Sequence, residues 1–245
     1  MSGPRHWRPL LLHVADKLCA TLLPKSWRLP VAYRLYLLDA NCETELRWLE
    51  KICSGGEAAV DVGANRGYYA YKMARLFKRV YAFDINPEIL ADLRGLGSRK
   101  IHIFATGLSS KALATTLYVP VVKQVALTGW ASLHRDSCPD ADRHVEKSVT
   151  TIALDSLRLR SVALIKIDVE GHELEVLRGA RQTLIDCHPA LIVEIRPQHR
   201  AAVARFMSSL DYQEHRLEEL ARARGSAQNF IFLPRQASAQ RAAIN

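Results

Sequence analysis

A turn rich in glycine follows the first long apolar run of the chain. The segment VDVGANRGYYA places polar and small residues at the point where that run gives way to an amphipathic segment: Asp61, Gly63, Ala64, Asn65 and Gly67. Glycine lets the backbone bend sharply and approach a ligand closely. A helix that begins near Gly67 presents free backbone N–H groups and a positive dipole end, which suit a carboxylate or a phosphate. Asp61 is placed to accept a hydrogen bond from an ammonium group, directly or through water.

A second acid, Asp84, ends the next apolar run, RVYAFD, and Ile85 follows it. An acid at this place in a dinucleotide-binding fold accepts hydrogen bonds from both hydroxyls of a ribose. An isoleucine beside it can cover one face of an adenine. An amino-acid tail, a ribose and a purine together indicate S-adenosylmethionine as the cofactor.

Two alternatives to this cofactor are open. A nicotinamide dinucleotide requires the pattern G-x-G-x-x-G, whereas this turn reads D-x-G-x-N-x-G and its acid would repel a pyrophosphate. The glycines can also serve only to shape a tight connection between a strand and a helix. The acid at Asp84, correctly placed at the end of the next strand, favours the cofactor interpretation.

The segment IKIDVEGHELEVLRGA carries a group of acids just beyond another apolar run. Strand alternation puts Lys166 and Asp168 on the same side of the sheet's end. Repulsion between crowded carboxylates raises the pKa of one of them and makes it a better base. We therefore predict that Asp168 or Glu170 acts as the catalytic base or positions the acceptor, and that Lys166 keeps them charged or contacts the acceptor. Glu173 is expected to favour the start of a helix, and His172 is expected to be solvated.

A divalent metal ion is an alternative use for the same acids. Asp168, Glu170 and Glu194 offer hard oxygen ligands that would let magnesium orient a diol. Glu194 is equally well explained as the buried polar end of its strand. Nothing in the spacing of these acids requires a metal, so we predict none.

Residues 54–245 alternate short apolar runs with amphipathic segments, which is typical of repeated βα units. This rhythm predicts an α/β domain with a Rossmann-like, doubly wound, mostly parallel sheet, and ligands bound beyond the carboxyl ends of its strands. One helix is expected at 172–185 and another at 198–210. The expected strands are Ala58–Val62, Arg79–Asp84, Lys100–Ala105, Ser161–Ile167, Ala190–Ile195 and Asn229–Leu233, with added strands at Thr115–Val119 and Ser148–Ile152.

Residues 1–53 are expected to form a helical extension that Pro24 and Pro30 divide into two or three pieces. Part of this extension has an apolar stripe at helical spacing, which either packs on the main domain or contacts a membrane surface as a basic amphipathic helix. No apolar run is long enough to span a bilayer. The stripe consists of Leu11, Val14, Leu18 and Leu22.

Charge and cysteine content limit the class of protein. The formal net charge is +9, but the basic residues are spread along the chain without an RNP-like motif, so no nucleic-acid partner is expected. The five cysteines are scattered and form no C-x-x-C pair, which argues against a disulfide framework or a zinc knuckle and favours a reducing cytoplasm. Membrane association through the N-terminal helix is the alternative location.

Taken in order from about Glu45 to Ile195, these motifs together with VTTIALDSL and PALIVEI closely resemble the FkbM-type methyltransferase family. The resemblance implies a class I methyltransferase fold and transfer of a methyl group to a hydroxyl of a natural product, sugar or glycoconjugate. Family members more often carry Glu-Pro where this chain has Asp84-Ile85, so the carboxylate here has a shorter reach. The stretch 120–147 echoes the family only loosely, and we expect it to select the acceptor.

The sequence thus predicts an S-adenosylmethionine-dependent O-methyltransferase acting on a glycan, a glycolipid or a related small metabolite. An RNA methyltransferase is the first alternative, motivated by the positive charge, although no N/D-P-P-Y/F-like motif or catalytic cysteine motif accompanies it. A non-catalytic binding protein of methyltransferase shape, anchored by its N-terminal helix, is the second. The sequence does not indicate the oligomeric state.

Overall fold

The computed structural model describes residues 22–40, 42–221 and 223–235. The helices are α1 Lys25–Leu38, α2 Thr44–Arg47, α3 Leu49–Ile52, α4 Tyr68–Leu76, α5 Ala91–Gly95, α6 Glu173–Gly179, α7 Arg181–Cys187, α8 Arg200–Ser209 and α9 Leu217–Leu220. The strands are β1 Gly56–Val62, β2 Phe77–Phe83, β3 Ile101–Phe104, β4 Gly107–Leu108, β5 Leu113–Val122, β6 Val125–Ala126, β7 Arg143–Ile152, β8 Val162–Ile167, β9 Ala190–Glu194, β10 Tyr212–His215 and β11 Asn229–Pro234.

The main sheet has seven strands in the order β10-β11-β9-β8-β1-β2-β3. Strands β3, β2, β1, β8 and β9 pair in parallel, whereas β11 is antiparallel to both of its neighbours. The central strands β1 and β8 are largely buried because both faces are covered, which explains their nearly continuous apolar sequences. The order of strands reverses between β1 and β8, and such a switch point opens a crevice for ligands. The predicted doubly wound, mostly parallel sheet is confirmed.

A second sheet, in the order β4-β7-β5-β6, is formed by the stretch between β3 and β8. Its two long strands, β5 and β7, pair antiparallel from Leu113 opposite Thr151 to Val121 opposite Arg143. Both contain the added strands predicted from the sequence and extend beyond them. The segment between β6 and β7 returns to β5 through an isolated bridge between Tyr118 and Ser132. The polar stretch after β6 is therefore held against this second sheet.

The single helix predicted at 172–185 is wrong, because α6 and α7 are separate helices that meet at Ala180. Gly179 packs so closely that a Cβ there would lie 1.9 Å from the carbonyl oxygen of Ser109. The carboxylate of Asp155 accepts the backbone N–H groups of Gln182 and Thr183, each at 2.8 Å, and so caps the start of α7. Asp155 lies far from α7 in sequence, so helical periodicity alone gives no sign of this capping.

The predicted helix break at Pro30 is also wrong, since Pro30 lies inside α1, whereas Pro24 does precede its first residue. An interior proline removes one backbone donor and strains the preceding turn. Burial of one face offsets that cost: Leu29, Ala32 and Tyr33 are buried. The helix therefore continues through the proline.

The described part of the N-terminal region shares its hydrophobic core with the main sheet. Leu46, Leu49 and Ile52 are fully buried in the same cluster as Ala59 of β1 and Val80 of β2. The expected apolar stripe lies outside the described residues except for its last member. Among the residues that the structure describes, no helix is both long and apolar enough to cross a membrane.

Candidate active site

The glycine turn connects β1 to α4 and packs against the segment that follows β8. Gly63 has a φ of +75°, and a Cβ at this position would lie 1.7 Å from the carbonyl oxygen of Asp168. Gly67 has a φ of +89°, and its Cβ would lie 2.6 Å from Leu93. Only glycine meets both demands, a left-handed backbone and contact with a neighbouring segment. The turn therefore sets Asp168 directly beside the end of β1, and α4 begins immediately after Gly67.

Asp61 is a buried carboxylate with an unused oxygen. The residue is 1% exposed, and its Oδ2 has no hydrogen-bond partner among the described residues. Burial raises the pKa of this carboxyl to about 7, against the opposing effects of the Lys166 charge and of the Ala70 N–H. A buried acceptor without a donor is costly, so this atom fits a ligand that carries a donor or a positive charge.

Asp84 ties together the two loops at the ends of β1 and β2. Its Oδ2 accepts the backbone N–H of Asn65 and its Oδ1 accepts that of Asn86, both at 2.8 Å. Burial raises the pKa of Asp84 to about 6, although the two N–H groups favour the charged form. Each oxygen keeps a lone pair. Ile85 lies beside Asp84 and packs against Gly107, where a Cβ would lie 2.6 Å from the Ile85 side chain.

Lys166 forms the centre of the predicted carboxylate cluster. It is 2% exposed, and its Nζ donates to Asp168 Oδ2 at 2.8 Å. The same Nζ lies 4.9 Å from the centre of the Tyr69 ring. Burial opposes the charge on Lys166, but the carboxylates of Asp168, Glu43 and Asp61 outweigh it and raise the pKa of the amine above its ordinary value. Lys166 is therefore a buried counter-ion for the site.

Glu170 faces a cation of its own. Arg196 donates to Glu170 Oε2 at 2.7 Å, while burial, with Asp168 nearby, raises the pKa of the Glu170 carboxyl. The backbone of Glu170 is left-handed, with a φ of +52°, and its carbonyl accepts the hydroxyl of Ser132 at 2.9 Å. Glu170, in the loop after β8, is thus held by the segment after β9 and by the loop after β6.

The prediction that His172 is solvated is wrong. Its Nε2 lies 2.9 Å from Ser109 Oγ and its Nδ1 lies 3.3 Å from Nε2 of His134. Burial and the neighbouring His134 lower the pKa of His172, so the ring is neutral near pH 7. Glu173, 1% exposed, accepts the N–H of Gly171 at 2.6 Å just before α6.

Glu194 ends β9 opposite Asn229 of β11. Burial and the charge of Asp168 raise the pKa of its carboxyl, while Lys166 opposes the rise. The metal alternative drew on this side chain together with Asp168 and Glu170. In the described ranges, no group of three or more His, Cys, Asp or Glu side chains is arranged to hold a metal ion.

Two cavities meet at the switch point, and both are lined by Gly63, Asn65 and Asp168. The first, of about 650 Å³ including its open mouth, runs from Asp84 and Ile85 to a lining that includes Ser132, Glu170 and His172. The second, of about 550 Å³ on the same measure, is lined by residues that include Asp61, Ala64, Lys166, Tyr36 and Glu43.

The predicted site residues are distributed between these two cavities, except that Gly67 shapes the turn beneath them. Sequence reasoning missed Tyr36 and Glu43, which precede every recognised motif, and it left His172 outside the site. S-adenosylmethionine fits the groups that line the cavities: Asp84 for a ribose, Ile85 for a base, and the unpartnered oxygen of Asp61 for an ammonium group.

The strand order, the glycine turn and the acid after β2 define a class I methyltransferase fold. The chain belongs to the FkbM methyltransferase family, because the model of the methyltransferase FkbM domain matches residues 61–224. The cofactor is S-adenosylmethionine. Among curated proteins, none matches the sequence significantly.

Solved structures similar to this chain include a methyltransferase FkbM from Methylobacillus flagellatus, at 17% identity and a TM-score of 0.51, covering 74% of this chain and 44% of that one. This chain thus spans less than half the length of that protein. A methyltransferase from Streptococcus mutans solved with SAH is 11% identical, covers 77% of this chain and 93% of that one, and has a TM-score of 0.45. An rRNA methylase from Streptococcus thermophilus is 13% identical, covers 77% and 91%, and has a TM-score of 0.44.

Proposed function

We propose that this protein transfers a methyl group from S-adenosylmethionine to a hydroxyl of a glycan, a glycolipid or a related small metabolite. The observation that carries the proposal is the place of Asp168, which lines both cavities at their junction. When bound, the cofactor supplies an activated methyl group. The protein then has to align the acceptor oxygen and remove its proton.

Asp168 is suited to take that proton. Its side chain is 25% exposed, and Lys166 holds only its Oδ2, which leaves Oδ1 without a donor among the described residues. The buried ammonium group of Lys166 fixes the orientation of the carboxylate. Asp168 therefore accepts the hydroxyl proton, and Lys166 positions it.

Glu170 is suited to orient the acceptor. It lines the first cavity beside Asp168, and Arg196 anchors one of its oxygens. Carboxylates accept hydrogen bonds from sugar hydroxyls but repel the phosphates of a nucleic-acid backbone. The acidic lining of this cavity supports a hydroxylated small acceptor over RNA, even though the chain as a whole carries a positive charge.

Asp168→Asn tests the assignment. The variant is expected to lower kcat by at least about 100-fold, the usual contribution of a general base, while changing the Kd for S-adenosylmethionine much less. The assay is release of S-adenosylhomocysteine with panels of glycans, glycolipids and RNA. Asp186→Asn, an exposed change of the same chemistry on α7, serves as the matched control. Full activity of Asp168→Asn would remove the base assignment, and turnover with RNA alone would overturn the proposed acceptor class.

A further inference from the structure

One wall of the second cavity comes from the N-terminal region, ahead of the residues that match the family model. Tyr36 lies in α1 and Glu43 lies just before α2, and both line this cavity. We propose that Glu43 and Tyr36 bind the α-ammonium end of the cofactor's amino-acid tail, together with Asp61. This inference concerns the cofactor alone and is independent of which acceptor is methylated.

The first support is the unpartnered oxygen of Asp61. This side chain is 1% exposed, it lines the cavity, and its Oδ2 has no donor among the described residues. The cavity also presents the carboxylates of Glu43 and Asp168. Lys166 is already paired with Asp168 at 2.8 Å. The three carboxylates therefore share the charge of Lys166, and a cationic ligand group meets two of them, Asp61 and Glu43, that form no direct ion pair of their own among the described residues.

The second support is that Glu43 is held in place with one oxygen to spare. Its Oε2 accepts the hydroxyl of Tyr69 at 2.9 Å and the Nδ2 of Asn229 at 3.2 Å. Its own backbone N–H donates to the Tyr36 hydroxyl at 3.3 Å. These bonds fix the carboxylate at the cavity wall, and Oε1 has no donor within the described part of the chain. A fixed carboxylate loses little entropy when it binds a charged donor.

The third support is the aromatic surface around these acids. Tyr36 stacks on Tyr68 with ring centres 4.7 Å apart and an interplanar angle of 16°, and Tyr69 lines the same cavity. Aromatic faces attract ammonium groups, so the rings reinforce the carboxylates. The tail is zwitterionic, and Arg66, which lines the same cavity and also pairs with Asp92 at 3.2 Å, is the cation that its α-carboxylate would meet. The N-terminal wall thus selects for the ammonium end.

Calorimetric titration with two ligands separates this role from a general effect on the pocket. S-adenosylhomocysteine carries the amino-acid tail, and 5′-methylthioadenosine lacks it. Glu43→Gln is expected to weaken S-adenosylhomocysteine binding by about 10-fold or more, as for loss of a charged hydrogen bond, and to change methylthioadenosine binding by less than about twofold. Equal losses for both ligands would overturn the proposal.

Glu45→Gln is the matched control. Glu45 is also a glutamate, 1% exposed and bonded to the same Asn229, but it does not line the cavity, so both affinities should stay near wild type. Tyr36→Leu, a change on a partly buried helix face, is a second variant should Glu43→Gln fail to fold. It should weaken only the tailed ligand, by about threefold or more. Unchanged S-adenosylhomocysteine binding in both Glu43→Gln and Tyr36→Leu would refute the inference, whereas no binding by the folded wild type would refute the cofactor.

Discussion

Replacing Asp61 by Asn should stabilise the ligand-free protein while weakening its hold on the cofactor. Asp61 is fully buried, and burial raises its pKa from an ordinary 3.8 to about 7. Its ionised form therefore costs folding free energy that an uncharged amide of the same shape does not. Functional carboxylates commonly carry such a cost in the absence of their ligand.

The size and sign of the effect follow from linkage between protonation and folding. Because the folded pKa is above the unfolded one, the folded state binds more protons, and stability is lost as pH rises from about 4 through about 7. At 1.36 kcal/mol per tenfold change in proton affinity, the full loss is on the order of 4 kcal/mol. About 2.5 kcal/mol of it should fall between pH 5 and pH 8.

Urea unfolding of ligand-free wild type and Asp61→Asn at pH 5 and pH 8 measures this difference directly. The stability of the variant relative to wild type should grow by about 2.5 kcal/mol between these two pH values. Other buried acids titrate in both proteins and largely cancel in the comparison. A stability difference that is the same at both pH values, or that shrinks as pH rises, would contradict the assignment of an ionised, buried Asp61.

Two further predictions concern neighbouring residues. Lys166→Met leaves the carboxylates of Asp168, Asp61 and Glu43 without their cation. The free energy of unfolding should fall by about 3–5 kcal/mol at pH 8, and by less at pH 5, because the acids take up protons there. Urea unfolding at the two pH values measures both losses. Asp84→Ala removes the acceptor of two backbone N–H groups and the proposed ribose contact. Calorimetry should show binding of S-adenosylhomocysteine and of methylthioadenosine weakened alike, by about 10-fold or more. Weaker binding of S-adenosylhomocysteine alone would contradict this prediction.

The sheet and the cofactor turn could be predicted from the sequence because their signals are local. Gly63 and Gly67 are separated by three residues, and their requirement for unusual backbone angles is visible in the residue type itself. The runs that become β1 and β8 are apolar throughout because each is covered on both faces. Because strands and helices alternate along the chain, the rules for their connections allow only a few sheet topologies.

The features that the sequence did not reveal depend on contacts between distant segments. α1 passes through Pro30 because one of its faces is buried, and α7 starts where it does because Asp155 caps it from another loop. His172 is held by Ser109, which lies 63 positions earlier in the chain. No pattern around His172 encodes that neighbour, so its place in the cavity could only be seen in three dimensions.

The two sheets of this protein carry different parts of the candidate active site. The main sheet carries the cofactor turn, whereas β5 and β7 pair with each other and hold the segment that brings Thr128, Gly129 and Ser132 to the first cavity. Because β5 and β7 form their ladder outside the main sheet, we expect insertions or exchanges in this second sheet to leave the register of the cofactor-binding strands unchanged. On the proposed function, we therefore expect remodelling of the second sheet to change the acceptor, and this sheet is the part to graft when acceptor choice is to be re-engineered.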